Sequence, residues 1–153
     1  MENEKRESIV AELKHAYAGE LETVQNYLAN SVDLDGVRAE EIKKSLAADV
    51  TEELGHAQEF AKRIKELYGV VPGSAQYKSA QSFLQPPADT TDVVSVIKGV
   101  IQAEQGAIDH YTKIIGACEG VDYATADMVT TILRDEEGHL RMFEGFLKEY
   151  EKR

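Results

Sequence analysis

The sequence predicts an all-α protein in which four long helices form a bundle and a long crossover joins the second helix to the third. Helix-forming residues dominate the 153-residue chain, and its three prolines, Pro72, Pro86 and Pro87, lie between periodic segments. Apolar residues recur in alternating steps of three and four, a pattern typical of a helix face packed in a bundle. We interpret residues 1–153 as a single domain.

Turn and cap residues divide the chain into helices over about residues 4–31, 37–68, 91 or 92 to 118, and 123–150. We expect Gly69 to be the C′ residue of the second helix and Asp122 the N-cap of the fourth. The linker over about residues 69–90 is long for a compact bundle. Because an extended linker of this length can run along a whole helix, we expect the second and third helices to be parallel.

Each of the four apolar stripes, the buried faces that these steps define, contains one glutamate. These residues are Glu20, Glu53, Glu104 and Glu136. An isolated ionised carboxylate in a low-dielectric core is costly, so it must be protonated, paired with a base or bound to a cation. No Lys or Arg stands at a neighbouring step of the stripes. Since two divalent cations match the charge of four carboxylates, the pattern indicates a metal site.

The sequence Glu-x-x-His occurs twice at matched stripe positions, as Glu53-x-x-His56 and Glu136-x-x-His139. Residues three apart share a helix face, so each histidine can reach the metal that its glutamate contacts. One such motif arises often by chance on a solvated face, but two of them with two further core glutamates favour a site. This mixed oxygen and nitrogen donor set suits iron or manganese and tolerates zinc.

The two halves of the chain repeat each other. A shift of 84 residues carries Glu20 and Tyr27 onto Glu104 and Tyr111, and a shift of 83 residues superposes the two Glu-x-x-His motifs. The repeat includes Gly55 and Gly138, which directly precede the two histidines. Glycine within a helix is unfavourable, so we expect a neighbouring helix to approach closely at both positions.

The four stripe glutamates and the histidines of the two Glu-x-x-His motifs resemble the ligand set of the ferritin-like di-iron carboxylate proteins. The resemblance is closest to bacterioferritin and to Dps-like proteins with a bacterioferritin-type centre. The resemblance covers nearly the whole chain and implies a ferritin-like four-helix bundle. It implies one iron held terminally by Glu20 and His56, a second held by Glu104 and His139, and bridging by Glu53 and Glu136. Tyr27 stands where bacterioferritins carry a tyrosine close to the centre. It is therefore a candidate catalytic electron donor or hydrogen-bond partner, or a core aromatic like Tyr111.

The resemblance also implies an activity, ferroxidase oxidation of two Fe(II) ions per subunit by O2 or H2O2 for iron storage or detoxification. We predict no haem, because Leu54 occupies the position of the haem-ligating methionine of bacterioferritin. The chain ends soon after His139, before the fifth helix of 24-subunit cages, which favours a dodecamer or a dimer. Only one cysteine, Cys118, is present, so the cysteine pair of some Dps-like relatives is not matched.

Three other functions remain open. A rubrerythrin-like peroxidase is disfavoured because that family carries glutamates where this chain has His139 and Ala107. A non-storage redox enzyme, similar to manganese catalase or to a di-iron oxidase of small substrates, is compatible with the ligand types. A bundle that buffers metal without turnover is the third alternative.

Charge and composition limit the partners. The net charge of −11 disfavours nucleic acid and anionic lipid and favours cations. No apolar run is long enough to span a membrane, the first residues form no signal region, and the single cysteine fits a reducing compartment, so we expect a cytoplasmic protein. His15 and His110 fall at no ligand position and are expected to be surface or hydrogen-bonded histidines.

Overall fold

Four long helices make up most of the structure, a computed structural model that describes residues 1–152. They are α1 (Asn3–Asp33), α2 (Glu40–Glu66), α3 (Val93–Cys118) and α4 (Tyr123–Tyr150). Helix α1 packs against α2 and α3, and α4 packs against α3 and α2. The predicted all-α bundle with a long crossover between its second and third helices is confirmed.

Aspartate caps fix where the last two helices begin. The side chain of Asp92 accepts a hydrogen bond from the backbone N–H of Ser95, and that of Asp122 accepts one from Thr125, both at 3.1 Å. These caps satisfy N–H groups that have no partner within the helix. Asp122 also accepts a hydrogen bond from Arg63 of α2 at 2.9 Å, so the predicted N-cap additionally ties α4 to α2.

Both ends of α2 differ from the prediction. Its predicted start, Val37, lies in a separate 3-10 turn, Val37–Ala39. At the other end the C′ residue with left-handed backbone is Tyr68, with φ of 67°, and not Gly69. The N–H of Gly69 instead donates to the carbonyl of Ile64, as expected for the residue after C′. Gly69 is required for space, because a Cβ there would lie 2.7 Å from Val10.

The crossover between α2 and α3 contains two 3-10 turns, Ser74–Gln76 and Ser82–Leu84, and is held against α1. Buried Glu22 accepts hydrogen bonds from the backbone N–H groups of Ala80 and Gln81, at 3.0 and 2.8 Å. Asn30 donates to the carbonyl of Leu84 at 3.0 Å. The crossover thus runs back along α1.

Two apolar clusters fill the bundle, one towards each end. Phe60 and Ile114 lie in the first, and Leu46 and Ile97 lie in the second. All predicted stripe positions are buried or half-buried, and the four stripe glutamates lie between the two clusters. Within residues 1–152, no helix combines the length and the apolar character that a membrane crossing requires.

Candidate metal centre

The six predicted ligands converge in the middle of the bundle. Their exposed fractions are 2% for Glu20, 1% for Glu53, 5% for His56, 1% for Glu104, 2% for Glu136 and 9% for His139. They form two groups of four, within each of which the potential ligand atoms lie within 4.8 Å of one another. Glu53 and Glu136 belong to both groups, so these two carboxylates lie between the two halves of the cluster.

The ring of His56 faces three of the carboxylates. Its Nδ1 lies 3.0 Å from Glu136 Oε1. The same atom lies 3.7 Å from Glu20 Oε1 and 3.7 Å from Glu53 Oε2. Glu53 shares its helix face at the i+3 spacing, whereas Glu136 comes from α4. Helices α2 and α4 are antiparallel, because Leu46 near the start of α2 and Phe143 near the end of α4 lie in the same apolar cluster. Their packing thus brings each Glu-x-x-His motif against the other.

His139 has the equivalent surroundings in the second half of the cluster. Its Nδ1 lies 3.0 Å from Glu53 Oε1, 3.5 Å from Glu104 Oε1 and 3.7 Å from Glu136 Oε1. The two halves of the cluster are therefore related by an approximate two-fold symmetry, in agreement with the repeat in the sequence.

Burial and charge change how the cluster binds protons. Burial, reinforced by neighbouring carboxylates, raises the pKa of Glu53 and of Glu136 well above the usual range. Burial alone would lower the pKa of His139, but the adjacent Glu104 carboxylate outweighs it and raises that pKa to about 10. Burial likewise favours a lower pKa for His56, but the carboxylates around it, Glu136 foremost, outweigh burial and raise that pKa. Without a metal, the cluster therefore retains protons that bound cations would displace.

Buried polar atoms without hydrogen-bond partners occur on all six side chains. They are Glu20 Oε2, both carboxylate oxygens of Glu53, His56 Nδ1, Glu104 Oε2, Glu136 Oε1 and His139 Nδ1. Folded proteins leave few such atoms, because a missing hydrogen bond leaves lost hydration uncompensated. Here the two imidazoles lie 3.0 Å from Glu136 and Glu53 but form no hydrogen bond with them, so these contacts compensate only in part. Carboxylate oxygens and imidazole nitrogens are the donors that iron and manganese accept, so the residues present fit a pair of divalent cations.

Sequence comparison identifies the family. The ferritin-like domain profile matches residues 10–153. The chain belongs to the ferritin-like family. Bacterioferritin of Desulfovibrio desulfuricans is 25% identical over 143 residues, covering 93% of this chain and 75% of that protein. The DNA protection during starvation protein of Pyrococcus furiosus is 28% identical over 145 residues, covering 92% and 77%.

Solved structures share the fold. The dodecameric thioferritin of Bacteroides fragilis, a bacterioferritin-related protein, has a TM-score of 0.79 and 25% identity, and the alignment covers 95% of this chain and 87% of that chain. A structure of D. desulfuricans bacterioferritin, described with its diiron site in different catalytic states, has a TM-score of 0.82 and 24% identity over 97% of this chain and 84% of that chain. The bundle architecture of this ferritin-like protein is therefore shared with both of these structures.

Two acidic residues that the sequence interpretation missed contact the outer nitrogens of the histidines. Asp135 Oδ2 lies 2.9 Å from His56 Nε2, and Glu52 Oε2 lies 2.8 Å from His139 Nε2. A proton shared on the Nε2 side leaves Nδ1 free to face the cluster, which is how carboxylates orient histidine ligands. A sequence pattern could have indicated these two residues, because an acidic residue directly precedes both Glu53 and Glu136.

Two buried tyrosines bind the remaining glutamates. The hydroxyl of Tyr27 donates a hydrogen bond to Glu104 Oε1 at 2.6 Å, and the hydroxyl of Tyr111 donates to Glu20 Oε1. The predicted residue Tyr27 is thus adjacent to the cluster. Tyr111, considered above only as a core aromatic, has the equivalent position in the other half.

The prediction of close helix approach at Gly55 and Gly138 is wrong. A Cβ built at either position would meet no heavy atom within 4 Å among the described residues, leaving aside the nearby backbone of α2 or α4 itself. Nothing in the structure of this chain explains these two glycines.

Proposed function

We propose that this ferritin-like protein is a ferroxidase that binds two Fe(II) ions per chain and oxidises them with O2 or H2O2 for iron storage or detoxification. The observation that supports this most strongly is the set of unpartnered buried atoms on all six cluster side chains. The two histidines are the only bases the cluster contains, and they cannot balance four buried carboxylates, whereas two divalent cations can. Family membership supports iron over other metals.

In this proposal the protein positions the ions and balances their charge. Glu53 and Glu136 would hold both ions, because each belongs to both groups of potential ligands. Glu20 with His56 would complete the ligands of one ion, and Glu104 with His139 those of the other. Iron supplies the electrons for reduction of the oxidant.

Tyr27 remains a candidate electron donor beside the centre, one of the roles that the sequence left open. Its hydroxyl also orients the Glu104 carboxylate, whichever role dominates. The Tyr111 hydroxyl orients Glu20 in the same way. These contacts assign both tyrosines to positioning, and the family resemblance alone singles out Tyr27 for electron transfer.

Access to the centre is provided by a cavity of about 260 Å³ between α1 and α3. Its lining includes Glu20 and Glu104 of the centre, as well as Gly19 and Gly106. Since these glycines carry no side chain, they leave room for an ion to pass. The net charge of −11 favours the approach of cations from solvent.

We also propose that the chain assembles into a homo-oligomer, with a dodecamer favoured over a dimer. The thioferritin of similar structure is described as dodecameric, which supports this choice. A dodecamer with iron well above two ions per chain would support storage, whereas a dimer with two metals would support a non-storage redox enzyme.

Addition of Fe(II) to the metal-free protein in air tests the activity. A fast absorbance rise from ferric iron should saturate at two Fe(II) per chain, and Glu53→Ala should abolish this fast phase while circular dichroism shows an intact fold. Glu59→Ala is the matched control, since Glu59 is an exposed glutamate of the same helix.

Wild-type oxidation by both Glu53→Ala and Glu136→Ala would refute the site. Rapid disproportionation of H2O2 by the manganese-loaded protein, without the ferric signal, would favour the catalase-like alternative. Tight metal binding without either reaction would favour a metal-buffering bundle.

A further inference from the structure

A second cluster of metal-binding side chains lies outside the centre, where α1 faces α3. Glu12 and His15 are one helical turn apart on α1, and His110 lies opposite them on α3. One potential ligand atom from each of the three residues lies within 4.8 Å of the other two. The rings of His15 and His110 are 4.6 Å apart between centroids.

The contacts of this cluster suit a cation. Nε2 of His110 lies 2.6 Å from Glu12 Oε2, which agrees with the expectation of a hydrogen-bonded histidine. The exposed ring of His15 packs against His110 and adds a second imidazole beside the Glu12 carboxylate. Two neutral imidazoles and a carboxylate form a donor set that binds zinc or Fe(II).

We propose that Glu12, His15 and His110 form an additional divalent-cation site, with water completing the coordination. The hydrogen bond between Glu12 and His110 would be replaced by bonds from both groups to the ion. Lys113, whose Nζ lies 3.8 Å from the other oxygen of Glu12, is the competing positive charge. Its side chain is 74% exposed, so it can move into solvent when an ion binds.

The position of this outer site gives it a relation to the centre. His15 and His110 line the same cavity of about 260 Å³ as Glu20 and Glu104. Because His15 is exposed, the outer site lies at the solvent end of that cavity. A cation bound there occupies the route to the centre, although its binding does not depend on the oxidation of iron.

Zinc binding to the metal-free protein tests the proposal, with Zn²⁺ alone as the probe in isothermal titration calorimetry. His15→Ala should bind one Zn²⁺ per chain fewer than the wild type and keep its fold, since His15 is exposed. Glu12→Gln should weaken the same site by about 10-fold or more. The control Glu7→Gln, which changes an exposed glutamate of the same helix, should leave zinc binding unchanged.

A variant of the centre separates this proposal from the proposed function. The double variant Glu53→Ala with Glu136→Ala should lose zinc at the centre and keep the ion that His15→Ala loses. Crystals of this double variant should show a zinc anomalous peak between His15 and His110. Equal zinc stoichiometry in wild type and His15→Ala, or no peak between the two rings, would overturn the outer site without affecting the centre.

Discussion

The hydroxyl groups of Tyr27 and Tyr111 each donate a hydrogen bond to one glutamate of the buried cluster. The two tyrosines and the two glutamates are the residues that the sequence repeat superposes, so the repeat extends to these hydrogen bonds. A glutamate in an apolar stripe is conspicuous because burying an ionised carboxylate costs free energy. The candidates for the metal site could therefore be predicted from the sequence. A tyrosine in the same stripe is not conspicuous, because its ring fits the core whether or not its hydroxyl has a partner. The hydrogen bond from Tyr111 to Glu20 therefore could not be predicted from the sequence and is seen only in the structure.

Replacing Tyr27 with Phe removes one of these bonds while preserving the ring. A hydrogen bond to a charged group contributes about 1.5–3 kcal/mol, so the metal-free protein should lose stability of that order. Tyr111→Phe is the matched control, because it removes the equivalent bond to Glu20. During Fe(II) oxidation, electron paramagnetic resonance should detect a tyrosyl radical in Tyr111→Phe and none in Tyr27→Phe. The same radical in both variants would exclude Tyr27 as the electron donor.

Protons in the cluster make stability depend on pH. His139 has a pKa raised from 6.5 to about 10, so between these values the folded chain holds a proton that the unfolded chain releases. Stability of the metal-free protein should therefore fall as pH rises through this window. The raised pKa values of Glu53 and Glu136 act in the same direction.

Metal binding at this cluster would displace these protons, so metal affinity should rise with pH. Calorimetric melting with and without Mn²⁺ at about pH 6.5 and about pH 8.5 should give a larger metal-dependent increase in Tm at the higher pH. A double variant, Glu53→Gln with Glu136→Gln, should lose most of this dependence. An equal increase in Tm at both pH values would contradict the proton displacement.

At the scale of the elements, periodicity predicted where the helices are, and local sterics decided how one of them ends. The apolar stripes continue over many turns, so the existence of all four helices followed from the sequence. The end of α2 did not follow, because glycine normally marks the left-handed C′ residue. Here Tyr68 takes that conformation, and Gly69 is needed for its contact with Val10. That contact joins Gly69, just beyond the end of α2, to a residue of α1 far away in sequence, so it leaves no local pattern.

Gly99 in α3 is, like Gly69, a position where a neighbouring segment leaves no room for a side chain. A Cβ at Gly99 would lie 2.5 Å from the backbone carbonyl oxygen of Phe83, in the crossover. Gly99→Ala should therefore destabilise the protein in urea unfolding, although alanine is the better helix former by about 1 kcal/mol. Gly106→Ala is the matched control on the same helix, where the new Cβ meets nothing within 4 Å. Equal stabilisation by both substitutions would show that the crossover does not pack tightly on α3.

At the scale of the whole molecule, a charged layer separates two apolar clusters, and this arrangement opposes stability unless cations fill it. The sequence predicted this layer because its four glutamates interrupt stripes that are otherwise apolar. It did not predict the outer carboxylates, Glu52 and Asp135, since acidic residues at helix surfaces are common. The relative placement of such groups depends on how helices face each other, which periodicity along one helix does not specify.

The location of metal in the bundle tests the central claim most directly. Crystals loaded with Mn²⁺ should show two anomalous peaks per chain between the apolar clusters. Glu53 and Glu136 should contact both peaks, and one glutamate and one histidine should complete each. Absence of any peak there, with the two histidines still paired to carboxylates as imidazolium ions, would contradict the account.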